Sequence, residues 1–308
     1  MILTVCPNPS IDCTVELPSL NVGRMNRIEN KILTYSGKAL NVAIGVSRLG
    51  ANAMATGFMY SKDEGPFLHT LEKEGVATDF VKTEGRVRMN YKIIDNRSMM
   101  TEINDKGELV YQDKQQELID KVENLSKNAS IVVMSGSLPQ GVDDDFYYRL
   151  CSVIPKNVKI ILDCEGEKFK KAISAGVYLV KPNLTEFEAI TGRQYTSKSQ
   201  MIDGAKKIIA MGAKHVLLSL GQSGAILTDG HTHLYCRSAT VAVNSTVGAG
   251  DSMIAAASVM IERGESLEQI LRSAVAAGTA STTTSGTNLF YTDKYQEIYD
   301  KIYVEKMI

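Results

Sequence analysis

The segment Gly248-Ala249-Gly250-Asp251 carries the most chemistry in this 308-residue chain. The polar turn Asn244-Ser245-Thr246-Val247 precedes it, and Ser252-Met253-Ile254-Ala255-Ala256-Ala257, a run of good helix formers, follows. Gly248 and Gly250 let the backbone approach a ligand closely, and the unpaired amides of a helix start favour an anion. Asp251 falls in the first helical turn, beside that anion. A carboxylate there can take a proton from a hydroxyl that attacks a phosphoryl group. It can equally cap the helix, and local chemistry leaves both readings open.

Two more turns invite ligands. Ser36-Gly37-Lys38-Ala39-Leu40-Asn41 opens a helix that stops at Gly50. Its N-terminus and Lys38 together suit a second anion. Ser135-Gly136-Ser137-Leu138-Pro139 follows the apolar run Ile131–Met134. The carboxyl end of a strand is where open α/β sheets bind ligands. Two familiar nucleotide motifs are missing. Gly37-Lys38 lacks the upstream Gly and the Ser/Thr of a Walker A loop, and Cys6-Pro7-Asn8-Pro9 has no glycine for a dinucleotide fingerprint. His231 and His233 read as hairpin surface rather than a metal site. Asp163, Cys164 and Glu165 follow a strand and are given no role.

The elements that must position these residues alternate. Ile2–Val5, Ala53–Phe58, Ile131–Met134, Lys159–Leu162, Tyr178–Val180 and Val216–Leu218 are short apolar runs separated by helical stretches. Continuous hydrophobicity marks strands buried on both faces, so the chain reads as α/β, a central mostly parallel sheet flanked by helices on both faces. Asp12–Thr34 and Arg86–Ile103 break the pattern. There Arg88, Asn90 and Lys92 alternate with Met89, Tyr91 and Ile93, as in a small separate sheet with one polar face. Gly221–Tyr235 reads as a hairpin turning at Asp229-Gly230. No linker divides the chain, so one domain over 1–308 is expected, with lid segments at about 12–34 and 86–103.

Composition narrows the partners. Lys and Arg number 34 and Asp and Glu 35, a net charge of -1, so nothing draws this chain to nucleic acid or to an anionic membrane. No apolar run approaches the ~20 residues of a spanning helix. Cys6, Cys13, Cys151, Cys164 and Cys236 form no C-x-x-C pair, and Met1–Val5, with no basic stretch and Pro7 close behind, is not expected to be a signal peptide. A cytoplasmic protein with reduced thiols is expected.

With these residues in hand, the chain is similar to a known family. Gly248-Ala249-Gly250-Asp251 resembles the C-terminal signature of the PfkB (ribokinase-like) carbohydrate kinases. Ser36-Gly37-Lys38-Ala39-Leu40-Asn41-Val42-Ala43 resembles their N-terminal signature, and Lys181-Pro182-Asn183-Leu184-Thr185-Glu186 their N-x-x-E element. The motifs fall in family order. Cys6-Pro7-Asn8-Pro9-Ser10-Ile11-Asp12, Gly23-Arg24-Met25-Asn26-Arg27, Arg88-Met89-Asn90 and Ser135–Pro139 resemble the branch acting on sugar monophosphates, 1-phosphofructokinase and tagatose-6-phosphate kinase. Ser36 and Ala39 stand where that branch has glycines, and their Cβ atoms are expected to narrow the sugar site.

The resemblance implies an ATP- and Mg2+-dependent kinase of ribokinase-like fold with a β lid. It would phosphorylate a free primary hydroxyl of a ketohexose monophosphate, fructose 1-phosphate first and tagatose 6-phosphate as the alternative. A non-catalytic sugar-phosphate sensor is the rival from another class. Asp251 is implied as base, with Gly248, Ala249 and Gly250 stabilising the transferring group. Asp12, Gly37 and Asn41 would meet the sugar, and Lys38, Arg27, Arg88, Asn90 and Ser137 its phosphate. Lys181, Asn183, Ser219, Gly221, Gly224, Gly278 and Ser281 would line the nucleotide site. Asn183 and Glu186 would hold Mg2+ through water. A homodimer through the lid strands is implied as well.

Overall fold

The run Ile2–Cys6 is buried along its whole length, as the central strand of a sheet covered on both faces must be. The computed structural model describes residues 1–97, 99–284 and 288–307. In chain order the strands are β1 (Ile2–Cys6), β2 (Ser10–Leu17), β3 (Asn30–Ser36), β4 (Ala53–Tyr60), β5 (Ala77–Thr78), β6 (Val81–Thr83), β7 (Arg88–Asp95), β8 (Met100–Ile103), β9 (Ile131–Ser135), β10 (Lys159–Asp163), β11 (Val177–Val180), β12 (Ala213–Ser219), β13 (Ala225–Thr228), β14 (His233–Cys236) and β15 (Val304–Lys306). The helices are α1 (Lys38–Arg48), α2 (Glu64–Lys73), α3 (Gln112–Ser126), α4 (Phe146–Val153), α5 (Gly166–Ile173), α6 (Leu184–Thr191), α7 (Lys198–Ala210), α8 (Ala249–Glu262), α9 (Leu267–Ser281) and α10 (Thr292–Lys301).

The main sheet runs β15-β14-β13-β12-β11-β10-β9-β1-β4-β5, with β6 also on β4. From β5 and β6 to β12 every pairing is parallel; β13, β14 and β15 add antiparallel strands at one edge. The expected hairpin is β13–β14, and Gly221–Ser223 before it is a 3-10 turn. One layer of helices is built from α1, α8 and α9 packed on one another. The other runs from α3 through α7. Residues 251–261 of α8 are all buried, which explains its lack of a polar face.

The lid is a second sheet, ordered β3-β2-β7-β8. β2 and β3 are antiparallel, as are β7 and β8, while β2 and β7 pair in parallel. That register sets Asp12 opposite both Asn90 and Thr34, and Thr14 opposite Lys92. The polar face expected from alternation is therefore assembled from three strands.

Candidate active site

The parallel strands end at one edge, and α1 and α8 begin there. Gly248 is the N-cap of α8 with φ 80°, a left-handed conformation suited to glycine, and no side chain caps the helix. Asp251 is therefore not the cap. It lies at the third helical position, 7% exposed, and its Oδ2 accepts a hydrogen bond of 2.8 Å from Asn41 Nδ2. Asn41 is oriented in turn by Ser36, whose Oγ donates to Asn41 Oδ1 at 3.3 Å. Burial pushes the Asp251 carboxyl above its ordinary value, against the pull of Lys38 and the Asn41 bond. Ser36 thus supports Asn41, and Ala39 is buried in the core, so the expected narrowing by Ala39 is corrected. Gly37 has to be glycine for space: a Cβ there would stand 2.8 Å from Cys6 Sγ.

Asp163, left without a role by the sequence, ends β10 at 4% exposure between two ammonium groups. Lys181 Nζ lies 3.4 Å from its Oδ1 and Lys38 Nζ 3.5 Å from its Oδ2. Ser135 Oγ donates to Oδ2 at 2.9 Å. Burial alone would raise the Asp163 carboxyl, but Lys181, Lys38 and Ser135 together hold it down at about 2. Lys38 is half exposed, and Asp163 above all raises its pKa against the effect of burial. Lys181 is 6% exposed and reaches the start of α8, where a Cβ on Gly250 would come within 3.1 Å of its Nζ.

On the lid, the buried Asp12 carboxylate accepts from Ser10 Oγ at 3.1 Å, Asn90 Nδ2 at 3.2 Å and Lys92 Nζ at 2.9 Å. Lys92, 6% exposed, is a cation that the sequence reading did not assign. Asn8 is another omission: its Nδ2 donates to Ser137 Oγ at 3.2 Å and to Lys106 O at 3.1 Å. Arg88 and Arg27, both expected at the phosphate, sit at different places on the lid. The Arg88 guanidinium donates to the carbonyls of Pro9, Asp105 and Asn8 at 3.3, 3.1 and 3.2 Å, so it braces the lid's attachment. Arg27 is exposed in the loop between β2 and β3, at the far end of β2 from Ser10, and this chain does not bring it to Lys38. Eight residues of strand span about 25 Å.

Among the residues expected at the nucleotide, Asn183 caps α6 in a capping box. Its side chain accepts from Glu186 N at 2.9 Å, and Glu186 Oε2 accepts from Asn183 N at 3.0 Å. The charge of Glu186 acts on Lys38. Ser219 ends β12 and bridges to Asn183; Gly221 and Gly224 bound the turn behind it. A Cβ on Gly224 would lie 1.9 Å from Cys236 O, so that glycine serves close backbone packing. Gly278 is likewise taken up in packing α9 on α8, because a Cβ there would stand 2.6 Å from Met253 Cγ. Ser281 is fully buried, its Oγ without a hydrogen-bond partner among the described residues.

A shielded carboxylate at a glycine-rich helix start, with cations on either side, suits phosphoryl transfer to a hydroxyl. Comparison with known proteins agrees. The profile described as pfkB family carbohydrate kinase matches residues 10–294, and this chain belongs to that family. It is a phosphotransferase with a ribokinase-like α/β fold.

Its relatives narrow the branch. The chain is 34% identical over 289 residues to the D-tagatose-1-phosphate kinase of Bacillus licheniformis, covering 93% of this chain and 94% of that one. It is 31% identical over 283 residues to the 1-phosphofructokinase of Borreliella burgdorferi, covering 91% of each. Among solved structures it is similar to phosphofructokinase-2 from Escherichia coli in complex with fructose-6-phosphate. The TM-score is 0.89 at 29% identity, over 97% of this chain and 98% of that one. No helix among the described residues is long and apolar enough to cross a membrane.

Proposed function

We propose that this protein transfers the γ-phosphoryl group of ATP to the free primary hydroxyl of a ketohexose 1-phosphate, fructose 1-phosphate first, forming fructose 1,6-bisphosphate. The observation that carries this reading is the Asp251–Asn41 pair at the open N-terminus of α8, facing a lid whose polar face holds Asp12, Asn90 and Lys92. The second reading is D-tagatose 1-phosphate, favoured by the Bacillus licheniformis relative. That relative is named for a 1-phosphate, which moves the tagatose alternative away from the 6-phosphate. A sensor with no activity would have no use for a buried base beside an anion site.

Asp251 accepts the proton of the attacking hydroxyl, and Asn41 holds the carboxylate toward it. The amides from Gly248 to Asp251 and the Lys181 ammonium stabilise charge on the group in transfer. The room left by Gly250 beside Lys181 is the cradle into which a phosphate fits. Asn183 and Glu186 present one amide and one carboxylate, a set that fits Mg2+ held through its own waters. When bound there, Mg2+ neutralises phosphate charge. Asp12, Asn90 and Gly37 face the sugar. Lys38, Ser137 and Arg88 line the approach of its phosphate, and in a pair of lids Arg27 is free to serve it from the hairpin tip.

Exposed Val22, Met25, Ile28, Leu33, Met100 and Ile103 on the lid support a homodimer through these strands. Light scattering should give twice the chain mass at micromolar concentration; a monomer at full activity contradicts it. Five free cysteines suit a reducing compartment, the cytoplasm.

The function is tested by ADP release with fructose 1-phosphate, tagatose 1-phosphate, the two 6-phosphates and free fructose. The largest kcat/KM is expected with a 1-phosphate. A preference for a 6-phosphate or for an unphosphorylated sugar would overturn the reading.

A further inference from the structure

Resting on the carbohydrate-kinase reading and not on which sugar is the acceptor, we propose that Asp163 is a positioning residue that holds Lys38 and Lys181 on either side of the phosphoryl group in transfer. Asp163 is 4% exposed and points no free edge at a ligand, so it acts through its partners. Those partners come from separate elements: Lys38 is the first residue of α1, and Lys181 follows β11. One carboxylate reaches both, Oδ1 to Lys181 at 3.4 Å and Oδ2 to Lys38 at 3.5 Å.

The carboxylate is itself anchored. Ser135 Oγ donates to Oδ2 at 2.9 Å, and the Gly136 amide donates to the Asp163 carbonyl at 3.1 Å. Its backbone pairs with Ser135 of β9, and the preceding residues of β10 pair with β11 in the parallel sheet. Two ammonium groups this close would otherwise repel, and Lys181, 6% exposed, would be a buried cation without an anion. Each lysine has three N–H donors, so one spent on Asp163 leaves two for phosphate oxygens.

The two lysines differ in what they face. Lys181 lies against Gly250 at the start of α8. Lys38 is half exposed, and its charge acts on Asp251, the base. Asp163 therefore sets the spacing of two cations across the point of transfer before any ligand arrives, and cations held in advance stabilise developing charge without reorganising.

The test is a mutant cycle read by kcat, by KM for each substrate, and by calorimetric ATP affinity without acceptor. In the wild-type background D163N should lower kcat and ATP affinity by about tenfold or more. In the K38M/K181M background the same change should cost less than about threefold, because the groups it positions are gone. Equal losses in the two backgrounds, or an unimpaired D163N, would overturn the proposal. If D163N alone fails to fold, the comparison of K38M/K181M with and without D163N decides. Near-equality there supports positioning, and a further tenfold fall refutes it. S135A, which loosens the carboxylate but keeps its charge, should lose kcat by a smaller factor; a fall only in thermal stability would mark a merely structural role and refute positioning. A wild type silent on every ketohexose phosphate would sink the acceptor reading while the ATP affinities still judged Asp163.

Discussion

Asp251 and Asp163 are both buried carboxylates, yet their environments push them in opposite directions. Burial dominates at Asp251 and raises it; at Asp163 two lysines and Ser135 overcome burial and hold it at about 2. Asp163 therefore stays ionised wherever the protein works. Its contribution to stability is present above the ordinary Asp value and is lost as pH falls toward 2. A base must be ionised to act, so the acid limb of kcat should lie above the ordinary Asp value of about 3.9. K38M removes a cation that pulls Asp251 down, so the limb should move to higher pH; a limb that stays or falls would place the base elsewhere. D251N should keep ATP and acceptor affinity and lower kcat by about 100-fold or more. Turnover near wild type in a folded D251N protein would end the assignment. Asp251 and Asn41 were legible because each lies in a short motif with its own local chemistry. Asp163 was not, since nothing near it in sequence says that Lys38 and Lys181 converge on it, the former 125 residues away.

At the level of elements, spacing carried some meanings and concealed others. Asn183 and Glu186 were read as holding Mg2+ through water; the same three-residue spacing is a capping box, and the structure shows that box on α6. The box leaves room for that role, because it occupies one carboxylate oxygen of Glu186, whose charge still acts on Lys38. Alternation in the lid segments showed strands with a polar face but not which strand meets which. The parallel register of β2 on β7 brings Lys92 to Asp12 across 80 residues, and no local pattern encodes that. Arg88 was expected on a phosphate, and three of its five N–H donors meet backbone carbonyls as well. Lys92 anchors Asp12, the carboxylate we propose for the sugar. K92M should therefore raise KM for the acceptor by about tenfold and leave KM for ATP near its starting value. An equal rise in both constants would show that Lys92 serves the fold and not the acceptor side. Gly278 was expected to line the nucleotide site. Its place is the seam between α9 and α8, where a larger residue would press Met253 out of position.

For the whole molecule, the alternation of apolar runs with helices was enough to foresee the α/β class, and the structure confirms a parallel sheet covered on both faces. The antiparallel extension β13-β14-β15 was foreseen only in its hairpin; β15 comes from the far end of the chain. The lid has a consequence for how the protein forms. Its two halves, β2–β3 and β7–β8, are separate excursions from the body, and their shared seam β2–β7 joins strands some 80 residues apart. Closing so long a loop is entropically unfavourable until the intervening helices and strands have already folded and brought the ends together. The body can therefore assemble without the lid, but the lid cannot assemble without the body. On refolding from denaturant, far-UV circular dichroism should recover before acceptor binding does, with a lag in regained activity that K92M lengthens. Simultaneous recovery of both signals would mean that the seam forms with the core, and that the sugar-binding face is part of the folding nucleus instead of its last addition.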